Sequence, residues 1–315
     1  MKKQCHSIAS AIVVGMIMTL LLAGCATTAS LTQISAFGTA ASSLADDSQK
    51  AFKLIDTTTI DRKMYDIAAS PSLGPTDATF EGLFNEPNFE KLQIRIAVLD
   101  KLGSYAKALQ QLATADFRKE VDSAAADLYA SLSGLGANFK KATGQDLPLK
   151  DDQLKIIATA VDAIGSAVVE IKRRDAIKAV IIQANEAVQK AADLVASDLG
   201  KDSELSKLIH ENIANAELSL KKAYNIARTS TNYGFNIRYE MLVRIKQLHD
   251  SAEASPKLCD SISTGAKKVA ETHSALKSAV TKDQFASSEI AKEIGELVEY
   301  AKSVRSFYEK LGVKN

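Results

Sequence analysis

Apolar side chains recur every third or fourth residue along almost the whole chain, and no segment alternates with the two-residue period of a strand. Ile34, Phe37, Ala41, Leu44, Ser48, Ala51 and Ile55 advance by alternating steps of three and four. That spacing sets them on one stripe of an α-helix, in the manner of a coiled-coil seam. Ile290, Ile294, Leu297, Ala301, Val304, Tyr308 and Leu311 repeat the pattern near the other end. Helices carrying such stripes gain most of their stability by packing lengthwise against one another. The expected fold is therefore all-α: an elongated antiparallel helical bundle with coiled-coil-like seams. With no Trp and 5 Pro among 315 residues, the composition suits that fold.

Breaks in the periodicity divide the chain. Pro71, Gly74, Pro75, Gly82 and Pro87 punctuate residues 70–88 and predict a long loop. The loop carries Phe80 and Phe84, which either pin it to the bundle or form a segment that touches a partner or membrane. Asn88 is the expected cap of the next helix, whose stripe is Leu92, Ile96, Leu99, Ala106 and Leu109. After a pause at 114–116, Phe117, Val121, Ala124, Leu128, Leu132, Leu135 and Phe139 mark another helix, closed by Gly144 to Pro148. Gly134-Leu135-Gly136, inside that stripe, reads as close packing.

Two long spine helices are expected next. One runs from a cap at Asp151 or Asp152 to Gly200, with a stutter at Lys172 to Asp175. The other starts at Ser203 and is kinked or briefly broken between Ser230 and Asn236. Ser255-Pro256 reads as an N-cap with proline at the first helical position. It opens a seam of Cys259, Ile262, Ala266, Val269, His273, Leu276 and Val280. Thr281 with Gln284 reads as a capping box for the last helix. No fixed-period repeat or compositional shift divides residues 31–315, which read as one domain.

The start of the chain carries a different signal. Lys2 and Lys3 precede an uncharged apolar run from Ile8 to Leu22, and small residues follow; this is the pattern of an export signal. Leu22-Ala23-Gly24-Cys25 resembles the lipobox of bacterial lipoproteins. The resemblance implies removal of residues 1–24 by cleavage between Gly24 and Cys25, and lipid on Cys25. It implies a membrane anchor and, with Ala26 rather than Asp after the cysteine, an outer-membrane location facing the periplasm. Residues 25–30 would then be a short tether; five extended residues reach at most about 18 Å.

Chemistry-bearing motifs are sparse. The chain holds 39 Lys and Arg against 38 Asp and Glu, without the basic excess of a nucleic-acid binder. His210, His249 and His273 lie in no metal-ligand spacing, so no metal is expected. Cys259 sits on an apolar stripe and reads as an inert packed thiol. With Cys5 removed and Cys25 lipidated, no intramolecular disulfide is expected. Neither a nucleophile motif nor a phosphate-cradling loop is present in the sequence, so no catalytic residue and no cofactor are expected.

Two stretches rise above this background. Tyr224, Arg228, Tyr233, Phe235, Arg238, Tyr239 and Arg244 gather at a helix irregularity, where they either fill the core or form a partner surface. Ile156 to Val169 is small and apolar; it reads as buried spine, although it resembles the membrane-insertable stretches of helical pore-forming toxins. The expected function is a lipid-anchored, non-enzymatic envelope module that binds a protein partner, associates with itself or scaffolds an assembly. A membrane-active pore-former-like bundle and a ligand-sensing bundle are the alternatives.

Overall fold

The computed structural model describes residues 31–53, 57, 60, 64, 87–164, 170–282 and 288–310. Gly24, Cys25, the tether, Phe80 and Phe84 lie outside the described residues, as do Ile55, Gln284 and Leu311. Among the described residues the chain is all-α. The helices are α1 (31–53), α2 (Pro87–Thr114), α3 (Arg118–Thr143), α4 (Asp151–Asp162), α5 (Glu170–Asp198), α6 (Glu204–Thr229), α7 (Phe235–Lys282) and α8 (Ser288–Lys310).

The helices that share long faces pack antiparallel. Gly38 lies against Ala106 and Gln110, and Gly103 against Ala45, so α1 runs against α2. Arg95 donates to the Ala142 carbonyl and Asn138 to that of Ala97, which pairs α2 with α3. Asn185 meets His273, and Ser263 Oγ donates to the Ala196 carbonyl at 2.6 Å, setting α5 along α7. Lys268, on α7, binds Glu293 at 2.6 Å and Glu296 at 2.5 Å on α8. Burial alone would lower the Lys268 ammonium, but its bonds to Glu293, Glu296 and Glu271 outweigh that and hold it above the ordinary range.

Two seams fall where the spacing put them, whereas Ile171, expected on the seam of the first spine helix, is exposed. Ile34, Phe37, Ala41, Leu44, Ser48 and Ala51 are all buried, as are the seven residues from Cys259 to Val280. Ser203 caps α6, its side chain accepting from the Ser206 N–H at 3.1 Å. The pause at 114–116 and the break after Ser230 are both present.

Several boundaries differ from expectation. The first expected spine helix is two helices: α4 ends at Asp162 and folds back on α5, where Gln153 Nε2 donates to the Gln183 carbonyl at 3.3 Å. Arg118 holds the end of α4 through the Asp162 carbonyl and carboxylate. The N-cap of α4 is Lys150, whose N–H donates to Gln153 Oε1 at 2.8 Å, and Asp151 and Asp152 stand in the first turn. Pro87 rather than Asn88 opens α2. Phe117 caps α3 and is exposed rather than buried. Thr281 lies in the last turn of α7 rather than at a helix start, its hydroxyl donating to the Lys277 carbonyl. Gly136 has open space around it, and Gly134 meets only the Lys101 side chain; helix contact closes instead at Gly38, Gly103 and Gly265. In the apolar stretch, Ile157, Val161 and Ile164 are buried, while Ile156 is exposed.

The largest correction is α7. Ser255-Pro256 does not start a helix; Pro256 lies inside one of 48 residues, about 72 Å long. A proline in a helix lacks the N–H that would bond the carbonyl four residues back, here that of Ala252. That carbonyl has other donors: His210 Nδ1 reaches it from α6 at 3.0 Å, and Ser255 Oγ at 2.9 Å. The His210→Ala variant is expected to cost about 1 kcal/mol. In a Pro256→Ala background, where the backbone N–H returns, its cost falls toward zero. A double-mutant cycle by urea unfolding measures the coupling.

Candidate functional site

The functional reading divides the molecule at the Pro256 turn. On the bundle side, Tyr105 O–H donates to His273 Nε2 at 2.8 Å, and His273 Nδ1–H donates to Asn185 Oδ1 at 3.1 Å. Ser274 Oγ reaches the same Asn185 oxygen at 3.4 Å. Phe37 meets the imidazole edge-on, with ring centroids 5.8 Å apart. This chain of hydrogen bonds ties α2, α5 and α7 together and fixes the histidine as a neutral tautomer. Burial pushes His273 down from 6.5 to about 3, with Lys277 adding a smaller push in the same direction. Cys259 is likewise buried, and burial raises its thiol to about 11. Both residues belong to the core.

On the other side, α6 and α7 leave the bundle as a two-helix arm. Its apolar cluster is separate from the main core and is made of Ala216, Leu220 and Leu248, backed by Ala223, Met241 and Ile245. His249 Nδ1 lies 3.3 Å from Glu217 Oε1 across the pair. The tip is the turn at 230–234.

The arm collects the residues singled out in the sequence. Tyr233, Phe235 and Tyr239 are exposed, as is Arg228, while Tyr224, Arg238 and Arg244 are half-buried. Core filling is therefore not what the aromatic side chains of the tip do. Phe235 is 72% exposed and Tyr239 58%, and their rings stack with centroids 6.0 Å apart. Phe80 and Phe84 lie outside the described residues.

Sequence reasoning missed half of the apolar side chains here, since Leu218, Ile226, Leu242 and Val243 are also exposed, and Ile237, expected on the buried stripe with Met241, Ile245 and Leu248, is exposed as well. Eight of the thirteen large hydrophobics that stand exposed among the described residues fall between Leu218 and Val243, so this is the molecule's one concentrated apolar surface in that set. The missed signal was a second periodicity. Met241, Ile245 and Leu248 face α6, whereas Phe235, Tyr239, Leu242 and Val243 recur at helical spacing on another side. An apolar stripe beyond the one already buried marks a contact surface.

Charge follows the same division. Residues 216–248 hold six cations, Lys221, Lys222, Arg228, Arg238, Arg244 and Lys246, against Glu217 and Glu240, in a chain whose formal net charge is only +1. Among the described residues no group of three or more His, Cys, Asp or Glu is placed to hold a metal ion. Nor is any described helix long and apolar enough to cross a membrane.

The fold and this surface define an all-α bundle with a projecting basic and apolar arm. Comparison with protein-family models, characterised proteins and solved structures finds no match.

Proposed function

We propose that the protein is a lipid-anchored, non-enzymatic module of a bacterial envelope, held by Cys25 in the outer membrane and facing the periplasm, where it scaffolds an assembly or binds an envelope partner through the α6–α7 arm. The observation that carries this reading is the concentration of exposed apolar side chains on the arm. Its position adds support. Phe37 packs beside His273 and Leu44 beside Gly265, so α1 runs antiparallel to α7 and begins near its C-terminal end. Measured along α7, residue 31 and the arm tip stand about 65 Å apart. A short tether at one end and a contact surface at the other suit a part that holds two things at a set distance.

Intact mass of the membrane-extracted protein tests the anchor. A lipid-sized increase is expected, and its loss together with release from membranes in Cys25→Ala. A cleaved but unlipidated soluble product overturns the anchor. Crosslinking in intact cells tests the arm: adducts formed by the wild type are expected to disappear in a Phe235→Ser, Tyr239→Ser, Leu242→Ser variant that keeps its helicity. Adducts unchanged by that variant would place the contact elsewhere.

A further inference from the structure

We infer that the arm docks on an anionic lipid surface. The inference rests on the reading of the arm as the contact surface, and names what it touches.

The arrangement of the apolar side chains argues for a fluid layer. Phe235, Tyr239, Leu242 and Val243 span about 100° of α7, and Ile237, about 40° from Met241 on the side that faces α6, is also exposed. Leu218 and Ile226 belong to the other helix, and Tyr233 to the turn. A rigid protein groove covers one face, whereas lipid covers every face of an inserted tip. Tyr and Phe suit the boundary between headgroups and acyl chains, where one end is apolar and the other wet. The cations fit the same surface. Lys221, Lys222 and Arg228 rise along α6, and Arg238, Arg244 and Lys246 along α7, with Lys221 paired to Glu217 and Lys246 to Asp250 at the surface; long stems let charged ends exchange such surface pairs for headgroups while the apolar residues insert. Their excess over Glu217 and Glu240 opposes docking of one arm against another, because like-charged surfaces repel. It favours a negatively charged membrane face, where each Lys or Arg contributes about fivefold in affinity.

The chain has no Trp, which gives a direct readout. In the full lipidated protein, a Phe235→Trp reporter at the tip is compared with Tyr129→Trp, an exposed position on α3. The anchor alone enters any vesicle, so the tip reporter separates the arm from the tether. With phosphatidylcholine vesicles containing about 30% phosphatidylglycerol, the tip fluorescence is expected to shift to the blue and to be quenched by brominated acyl chains. The Tyr129 reporter stays unchanged, and so does the tip reporter with phosphatidylcholine alone. Replacing Arg228, Arg238 and Lys246 by Gln is expected to weaken the tip's binding about 100-fold, and high salt to suppress it.

No blue shift on anionic vesicles, with intact helicity, overturns the inference. A shift with polyglutamate but not with vesicles overturns it in favour of an acidic protein partner and leaves the arm's role as contact surface standing. Absence of lipid on Cys25, read separately by mass, removes the anchor without touching the arm.

Discussion

Unfolding of His273→Ala in urea at pH 7.5 is expected to show a loss of about 5 kcal/mol, with the slope unchanged. The ring is fully buried, so its removal leaves a cavity against Phe37. The Tyr105 hydroxyl also loses its partner, and an orphaned buried hydroxyl adds its own penalty, while Asn185 Oδ1 keeps the Ser274 hydroxyl. The same residue sets a pH dependence. The unfolded chain takes up a proton as pH falls through 6.5, whereas burial holds the folded imidazole down to about 3. Stability contributed by the neutral ring is thus fully present above 6.5 and is lost progressively as pH falls from there toward 3. By pH 5 the loss is about 2 kcal/mol. The alanine variant should lack this share of the slope. Equal slopes in variant and wild type between pH 7.5 and pH 5 would remove His273 as the cause.

The second large effect lies at Gly38. A Cβ there would stand 2.5 Å from the Ala106 carbonyl oxygen and 2.6 Å from Gln110 Cβ. Backbone cannot yield as a flexible side-chain end does, so α1 and α2 would have to separate along a seam that both bury. The Gly38→Val variant is expected to lose about 3 kcal/mol or more. Gly136→Ala is the contrasting case: a Cβ there meets nothing within 4 Å, and helix propensity alone should raise stability by about 0.8 kcal/mol. Paired thermal melts decide it; a destabilised Gly136→Ala or an unaffected Gly38→Val would contradict the seam geometry.

These two glycines show where sequence reading succeeds and where it stops. Periodicity along one helix reports which side chains turn inward, and so Ile34 to Ala51 and Cys259 to Val280 were legible. It does not report which point of a helix meets the backbone of another. Gly134 and Gly136 sit in a stripe and looked like contact points, whereas Gly38 and Gly265 carried no local mark. Helix ends failed for a related reason. Ser255-Pro256 has the local form of a helix start, but His210 on α6 supplies a donor to the Ala252 carbonyl and lets α7 run on. The apolar stretch after Asp151 favours a continuous helix locally, yet α4 turns back on α5, a choice made by packing. At the arm, the aromatic and basic residues were visible as a group, but their exposure was not. A helix with apolar residues on two sides reads as core until its neighbours are known, and among the described residues the apolar cluster on the arm portion of α7 is shared with α6 alone.

Because α7 is both a wall of the core and half of the arm, one continuous helix sets how far the arm tip stands from the bundle. Its reach is counted in helical residues. Adding seven residues to each of α6 and α7 beyond Leu220 and Leu248 would move the tip outward by about 10.5 Å while turning its stripe by only about 20°. The distance between the two ends of the molecule is therefore something selection can adjust in steps of two helical turns, without redesigning either end.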